Sequence, residues 1–329
     1  MEIACPVCKK VGAAVFPYLD GGWPELELFS DLNIEVCQGC GFGQASPAPE
    51  SEQLTDFYQS RYREESSAYY IDFDGRKEVG GNLEMEFRSL SQLSLATMFC
   101  DFQSQDVLLD LGPGWGGSFQ TAQQILEEPA LVGIELNSGA ELMYQRLFGA
   151  KSYRSTQEFI RSSGKLAKIA ILSHSLEHYA ARDVPALLND LHRVVSIDGA
   201  LVIEVPHDDF RSRSATLAFQ TPHLCFFSPE SLEMALSQAG WHVEFLKSCS
   251  HPLLPDSLKA QSPKEFQWSG ISWRTKVRKQ LPEQLVPLLR AVRSAKNEIV
   301  GTQSAHEGNP LNFVYGENRD CLRAVATHK

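Results

Sequence analysis

The sequence predicts an α/β protein built on an open, mostly parallel sheet with helices on both faces. Three observations carry that expectation. From Asp106 onward, apolar runs of strand length take turns with helical patterns, the rhythm of a parallel sheet whose crossovers are helices. One of those runs, Val-Leu-Leu-Asp-Leu at 107–111, opens into the glycine-rich stretch Gly112-Pro113-Gly114-Trp115-Gly116-Gly117 with a helical pattern behind it. Glycine tolerates positive φ and lets backbone approach a ligand closely. Finally, a second apolar run ends at Glu135, twenty-five residues after Asp110, and an acid at the tip of the second strand suits the two hydroxyls of a ribose. A nucleoside-containing cofactor is therefore expected at this point of the sheet.

The elements follow in order. Cys5-Pro6-Val7-Cys8 and Cys37-Gln38-Gly39-Cys40 are two C-x-x-C pairs 28 residues apart, a spacing that suits tetrahedral Zn²⁺. Gly41 and Gly43 follow the second pair, as a tight turn around sulfur requires. The pattern is that of a zinc ribbon over residues 1–49, with Cys5, Cys8, Cys37 and Cys40 as ligands. A module this short is marginal alone, so the metal would supply much of its folding energy. Unligated or redox cysteines are the alternative. Four thiolates leave no open position for catalysis, so the zinc is expected to be structural. Ser46-Pro47-Ala48-Pro49 marks the exit.

Residues 50–105 read as a helical lead-in or cap. Leu54, Phe57 and Tyr58 share one face, Leu83, Phe87, Leu90, Leu93 and Leu95 form a stripe, and Tyr69 and Tyr70 between them are core or pocket aromatics. The main domain runs over 106–329. Strands are expected at 107–111, 131–135, 150–153, 169–173, 200–205 and 241–246. Helices are expected at 118–126, 139–148, 184–195 and 229–239, the last capped by Ser228 and stopped at Gly240. Residues 252–308 break the rhythm and read as an insertion carrying nine Lys and Arg against five Asp and Glu. A final strand at 311–316 would pair antiparallel with its predecessor.

The chain has 329 residues and a formal net charge of −11, which argues against a general nucleic-acid binder, since phosphate contacts require clustered cations. No apolar run reaches the roughly 18 residues of a membrane helix, and the first residues lack the basic and apolar regions of a signal peptide. The cytoplasm is the expected compartment; oligomeric state is not readable. Cys100, Cys225, Cys249 and Cys321 are scattered and read as small buried hydrophobes.

The loop Asp110-x-Gly112-x-Gly114-x-Gly116 differs from the dinucleotide fingerprint, in which pyrophosphate sits on a helix N-terminus. An acid ahead of the first glycine suits a cofactor that bears an ammonium group and no phosphate, the methionine end of S-adenosylmethionine. A nicotinamide cofactor is the runner-up. No Lys-Ser/Thr follows, which excludes a Walker-type loop. The loop and Glu135 resemble the first two motifs of class I S-adenosylmethionine-dependent methyltransferases. Ser173-His174-Ser175-Leu176-Glu177-His178 resembles the fourth-strand element of one large branch. The stretch from Asp198 to Pro206 is similar to its fifth-strand segment, and His223-Leu224-Cys225-Phe226-Phe227-Ser228 to its "H-L-x-x-F-S" element. A cysteine ribbon ahead of such a domain is similar to the sugar C-methyltransferases and related natural-product enzymes.

The resemblance covers about residues 1–250. It implies a Rossmann-like sheet with an antiparallel last strand and S-adenosylmethionine as cofactor. Gly112, Pro113 and Gly114 would lie against the methionine moiety and Glu135 on the ribose. Leu136 would flank the adenine, Thr156 or Gln157 would edge it, and Ser173 and His174 would lie near the sulfonium. In the sugar C-methyltransferases the histidine in the position of His223 is the base, within a Tyr-x-Glu-His run. This chain has Gln220-Thr221-Pro222-His223, without the Tyr and Glu.

Methyl transfer from a sulfonium is an in-line displacement that needs alignment and usually one proton acceptor. Neutral histidine serves that role near pH 7. His174, His178, His207 and His223 all fall at strand or loop ends expected to face the cofactor. His223 is the preferred base, with His174 and His207 behind it; His178 reads as structural. Glu177 would fix a loop or bind substrate, and Asp208 and Asp209 would orient a histidine or stay solvated. The spacings of His, Asp and Glu here match no tight metal-ligand pattern. The expected function is methyl transfer to a small-molecule metabolite, a sugar or natural-product intermediate. The alternatives are an RNA methyltransferase gripping nucleic acid with its ribbon, and a catalytically silent methyltransferase-like partner protein.

Overall fold

The structure is a computed structural model and describes residues 4–18, 27–62, 83–211, 222–250, 314–315 and 321–329. In chain order its elements begin with β1 (Ala13–Pro17), β2 (Asn33–Cys37), β3 (Gly43–Ser46), α1 (Ser51–Asp56) and α2 (Leu83–Ala96). The alternating region follows as β4 (Val107–Leu111), α3 (Gly117–Ile125), β5 (Ala130–Ile134), α4 (Ser138–Phe148), β6 (Lys151–Tyr153), α5 (Thr156–Ser163), β7 (Ala167–Ser173), α6 (Val184–Val194) and β8 (Val195–Pro206). The chain continues with β9 (Cys225–Phe226), α7 (Pro229–Gln238), β10 (Trp241–Ser250), β11 (Val314–Tyr315) and β12 (Cys321–His328).

The main sheet has eight strands in the order β11-β10-β12-β8-β7-β4-β5-β6. β4, β5, β6, β7 and β8 pair in parallel. β12 runs antiparallel to both β8 and β10, so β10 points the same way as the parallel strands. The Rossmann-like class I sheet is therefore present, with antiparallel β12 set between β10 and β8, two places inside the edge strand β11. Strands buried on both faces read as continuous apolar runs, and the register shows why. Leu109, Leu172, Leu201 and Ile203 face one cluster, packed against Leu188, Leu191 and Trp241. Leu108, Ile171, Ala200 and Val202 face the other, packed against Leu93, Ala96, Phe119 and Tyr144.

Local signals hold where they were strongest. Asn137 caps α4 and Ser228 caps α7, its hydroxyl accepting from the Ser231 amide at 3.2 Å. The terminal strand is a correction. The expected strand at 311–316 is described at Val314–Tyr315 as β11, antiparallel to its predecessor β10 as expected, but it is not the chain's last strand. The strand that enters between β10 and β8 is β12, whose Cys-Leu-Arg-Ala-Val run carries an arginine and few β-branched residues and so gives a weak strand pattern. Tyr69, Tyr70 and the 252–308 insertion lie outside the described residues. Among the described residues no helix is long and apolar enough to cross a membrane.

The second sheet ties the N-terminal segment to the main domain. Its order is β1-β2-β3-β9, so three N-terminal strands are completed by a strand from the segment that carries His223. Ser228 Oγ donates to the Cys40 carbonyl at 2.9 Å, and Phe42 meets Phe227 edge-on with ring centroids 5.3 Å apart.

Candidate active site

The carboxyl ends of β4, β5 and β7 open on a cavity of about 690 Å³, within the ~300–1,000 Å³ usual for ligand clefts. Of the residues expected to contact a cofactor, Asp110, Gly112, Pro113, Gly114, Glu135, Leu136, Thr156, Gln157, Ser173 and His174 all line it. Gly112, Gly114 and Gly116 have φ of +76°, +60° and +85°, a region costly for any side chain. A Cβ on Gly112 would also meet Ser175 Oγ at 2.8 Å.

Asp110 is buried on β4 beneath this loop, and its Oδ2 accepts from Ser118 Oγ at the start of α3. Its Oδ1 has no hydrogen-bond partner. Burial raises the Asp110 pKa to about 7; the Ser118 hydrogen bond opposes the shift and the charge of Glu135 adds to it. Glu135 stands just past β5. Its two oxygens accept from the Asn137 amide at 3.0 Å and the Tyr144 hydroxyl at 3.1 Å, and Tyr144 also holds the Gly114 carbonyl at 2.6 Å. The acid and the glycine turn are thus fixed to each other through one tyrosine. On the far side, Gln157 donates to Asp190, and both line the cavity.

The end of β7 carries a buried polar network. His174 adopts φ +52°, a left-handed conformation uncommon for histidine and typical of functional sites. Its Nδ1 lies 3.2 Å from Glu177 Oε1 and its Nε2 lies 3.4 Å from Glu204 Oε1. Burial alone would lower the His174 pKa, but Cys321, Glu177 and Glu204 together hold it well above its ordinary value. Glu204, on β8, is fully buried and also meets Arg88 at 3.2 Å, Gln92 at 3.0 Å and Arg323 at 2.7 Å. Desolvation opposes its ionisation, but Arg323, His174 and Arg88 together hold its pKa well below the ordinary carboxylate value. Gln92 also donates to Ser173 Oγ at 2.8 Å. Arg88, Gln92, Ser173 and His174 form one floor of the cavity.

The other candidate histidines separate. His178 borders the cavity with Tyr58 and Tyr62, whose rings it meets edge-on. Burial lowers its pKa to about 4. His223 sits behind it, ring centroids 5.0 Å apart, and is not among the residues lining the cavity; burial lowers its pKa too. Glu177 is buried under this pair. Desolvation would raise its pKa, but the hydrogen bond and charge of His174 bring it to about 2. His207 is turned away: it is buried at the end of β8, with Nδ1 3.2 Å from Ser248 Oγ, and does not line the cavity.

In the N-terminal module Cys5 Sγ lies 3.7 Å from Cys40 Sγ, and Cys8 Sγ lies 3.4 Å from Cys37 Sγ. Tetrahedral Zn²⁺ with bonds of about 2.3 Å places its sulfurs about 3.8 Å apart. Backbone amides of Cys8 and Gly39 point at the Cys5 and Cys37 sulfurs, at 3.5 and 3.3 Å. The residues fit the metal.

Residues 85–245 match the family model of the methyltransferase domain. Those residues carry a methyltransferase domain. A comparison with curated proteins gives no match. Among solved structures the chain is similar to a SAM-dependent methyltransferase from Archaeoglobus fulgidus, at 16% identity over 74% of this chain and 97% of that one, with a TM-score of 0.42. It is also similar to a cyclopropane synthase from Mycobacterium tuberculosis, at 14% identity over 85% of this chain and 94% of that one, with a TM-score of 0.45.

Sequence reasoning did not assign Arg88, Gln92, Glu204 or Arg323 to this site. Two of them carried a signal. Glu204 and Arg323 each interrupt an apolar strand run, and a charge in a strand buried on both faces must find an opposite charge.

Proposed function

We propose that this protein transfers the methyl group of S-adenosylmethionine to a small-molecule acceptor bound in the same cavity. The observation that carries this reading is the cavity's two-part lining. Glycine turn, ribose-type acid and adenine-edge residues share one cavity with His174, His178, Tyr58 and Tyr62. The cofactor, when bound, supplies an electrophilic methyl group on sulfur. Gly112, Pro113 and Gly114 would make room for its methionine end, and the open Oδ1 of Asp110 suits its ammonium. Glu135 would take the ribose hydroxyls, Leu136, Thr156 and Gln157 the adenine, and Ser173 and His174 the sulfonium side.

The proton of the acceptor belongs to the wall made by Glu177, His178 and His223. His178 is its cavity-facing member and His223, the residue expected to be the base, acts from behind it. His207 has no part in this reading. Cys5, Cys8, Cys37 and Cys40 would hold a structural zinc that fixes residues 1–49 against the segment carrying His223. Titration calorimetry with S-adenosylhomocysteine tests the first half of the proposal, and absence of binding would sink it. Mass spectrometry for a one-methyl gain across a panel of sugar and natural-product acceptors tests the second.

Two outcomes are expected of the cofactor half. Glu135→Ala removes two charge-assisted hydrogen bonds to the ribose, each worth about 1.5–3 kcal/mol. The dissociation constant for S-adenosylhomocysteine should rise at least about a hundredfold; a change below about threefold would remove Glu135 from the ribose. Asp110 gives a pH dependence. Its carboxyl is largely protonated below pH 7 in the free protein, and an ammonium favours the ionised form. Cofactor affinity should therefore rise as pH increases from 6 to 7.5, by at most about tenfold per unit. Asp110→Asn should flatten that profile.

A further inference from the structure

We propose that Glu177, His178 and His223 form a second metal site, for a divalent first-row transition ion, separate from the four cysteines. It deepens the proposed function and rests on that reading for its consequence, since the ion would face the acceptor's half of the cavity and the three side chains would then ease loss of the acceptor's proton through the ion, not as free bases. The three side chains each offer one ligand atom, and those atoms lie within 4.8 Å of one another. Bonds of about 2.1 Å to nitrogen and oxygen place tetrahedral ligands about 3.4 Å apart, a contraction within side-chain reach. Two imidazoles and one carboxylate are a donor set suited to zinc, iron, cobalt or nickel.

Unpartnered atoms point to the ion. Glu177 is 1% exposed, and its Oε2 has no hydrogen-bond partner. The Nδ1 atom of His178 is buried and also without one. The His178 ring hydrogen-bonds the Pro222 backbone carbonyl, which uses its other nitrogen and leaves Nδ1 as a free lone pair. A metal-bound histidine is oriented in this way by a carbonyl behind it. The carboxylate is oriented likewise, by His174 Nδ1 at 3.2 Å on Oε1. Backbone contacts fix both strands of the site. Leu224 N donates to the Glu177 carbonyl at 2.7 Å, and the Tyr18 hydroxyl donates to the His223 carbonyl at 3.0 Å.

Three protein ligands leave a position open, as substrate-binding metal sites require. His178 borders the cavity, so the open position suits an acceptor oxygen. A neighbouring cluster makes the contrast. His174, Glu204 and Cys321 also bring ligand atoms within 4.8 Å, but Glu204 already holds Arg323 at 2.7 Å and Arg88 at 3.2 Å. Two guanidiniums occupy the place a cation would need.

The test is metal stoichiometry on the full chain, depleted and then reloaded with Co²⁺. Two equivalents are expected. One should show the strong thiolate-to-cobalt absorption of the cysteine site, the other only weak ligand-field bands. His223→Ala and Glu177→Gln should each lose the second equivalent and keep the first. One equivalent in the unaltered protein would overturn the site, as would two equivalents retained in His223→Ala. The unaltered protein and His223→Ala decide the matter even if Glu177→Gln does not fold. Binding of S-adenosylhomocysteine with one equivalent of metal would overturn this site alone. Two equivalents without cofactor binding would overturn the methyl-transfer reading instead.

Discussion

Arg323→Met is expected to lower the unfolding free energy by about 3–5 kcal/mol, the usual cost of stranding one member of a buried ion pair. Arg323 and Glu204 are both fully buried, on adjacent strands β12 and β8 in direct register. The guanidinium gives Nε to Glu204 Oε2 at 2.7 Å, a second nitrogen to the same oxygen, and Nη1 to Ser91 Oγ at 2.6 Å. Its loss leaves Glu204 to Arg88, Gln92 and His174, which meet it from the cavity side. The double variant Arg323→Met with Glu204→Leu should be less destabilised than Arg323→Met alone, because it removes the stranded charge together with its partner. Denaturant midpoints at constant slope measure both. A single-variant cost under about 1 kcal/mol, or a double variant worse than the sum of the singles, would show that the pair is not the buried unit described here. The functional consequence follows from position: Glu204 also meets His174, so the double variant should fold yet lose the His174 orientation at the cavity floor.

How much of this was legible in the sequence depends on whether a signal is local. The glycine turn and its acids are read from residues within thirty positions of one another, and all ten expected cofactor-site residues border one cavity. The cysteine pairs are as explicit, because metal geometry dictates their spacing. The ranking of the four histidines has little in the sequence to stand on, since all four occupy similar strand or loop ends. Only the three-dimensional path of 222–228, threaded between the N-terminal sheet and the 3₁₀ turn Leu176–His178, puts His223 behind His178. His207 and Ser248 meet across strands β8 and β10, which are joined through β12. That strand was the one the pattern missed. A central strand is chosen by its two neighbours, and its Ala-rich run gains from them what its own propensity lacks. With β12 missed, Arg323 had no visible partner and Glu204 had no visible purpose.

Cys8→Ser is expected to remove one equivalent of zinc and to lower stability by at least about 3 kcal/mol, or roughly 6–12 °C at a slope of 2–4 °C per kcal/mol. Cys8 is half-buried, the least enclosed of the four sulfurs, so serine costs little packing there and the metal dominates the effect. Structural zinc in isolated fingers contributes about 10–16 kcal/mol to folding. The smaller figure is expected here because protein contacts share the load. β9 completes the N-terminal sheet, Ser228 holds the Cys40 carbonyl, and Phe42 packs on Phe227. Those same contacts carry the disturbance to the cavity. Once the ribbon loosens, the Tyr18 contact to the His223 carbonyl and the Ala45–Leu224 backbone bond lose their support. Acceptor turnover should therefore fall more than cofactor affinity, since Glu135 and the glycine turn stand on β4 and β5 at the far side of the sheet order. Unchanged metal content with a melting shift under about 2 °C would deny the four cysteines their structural ion. Equal losses of cofactor binding and turnover would deny the link from ribbon to His223.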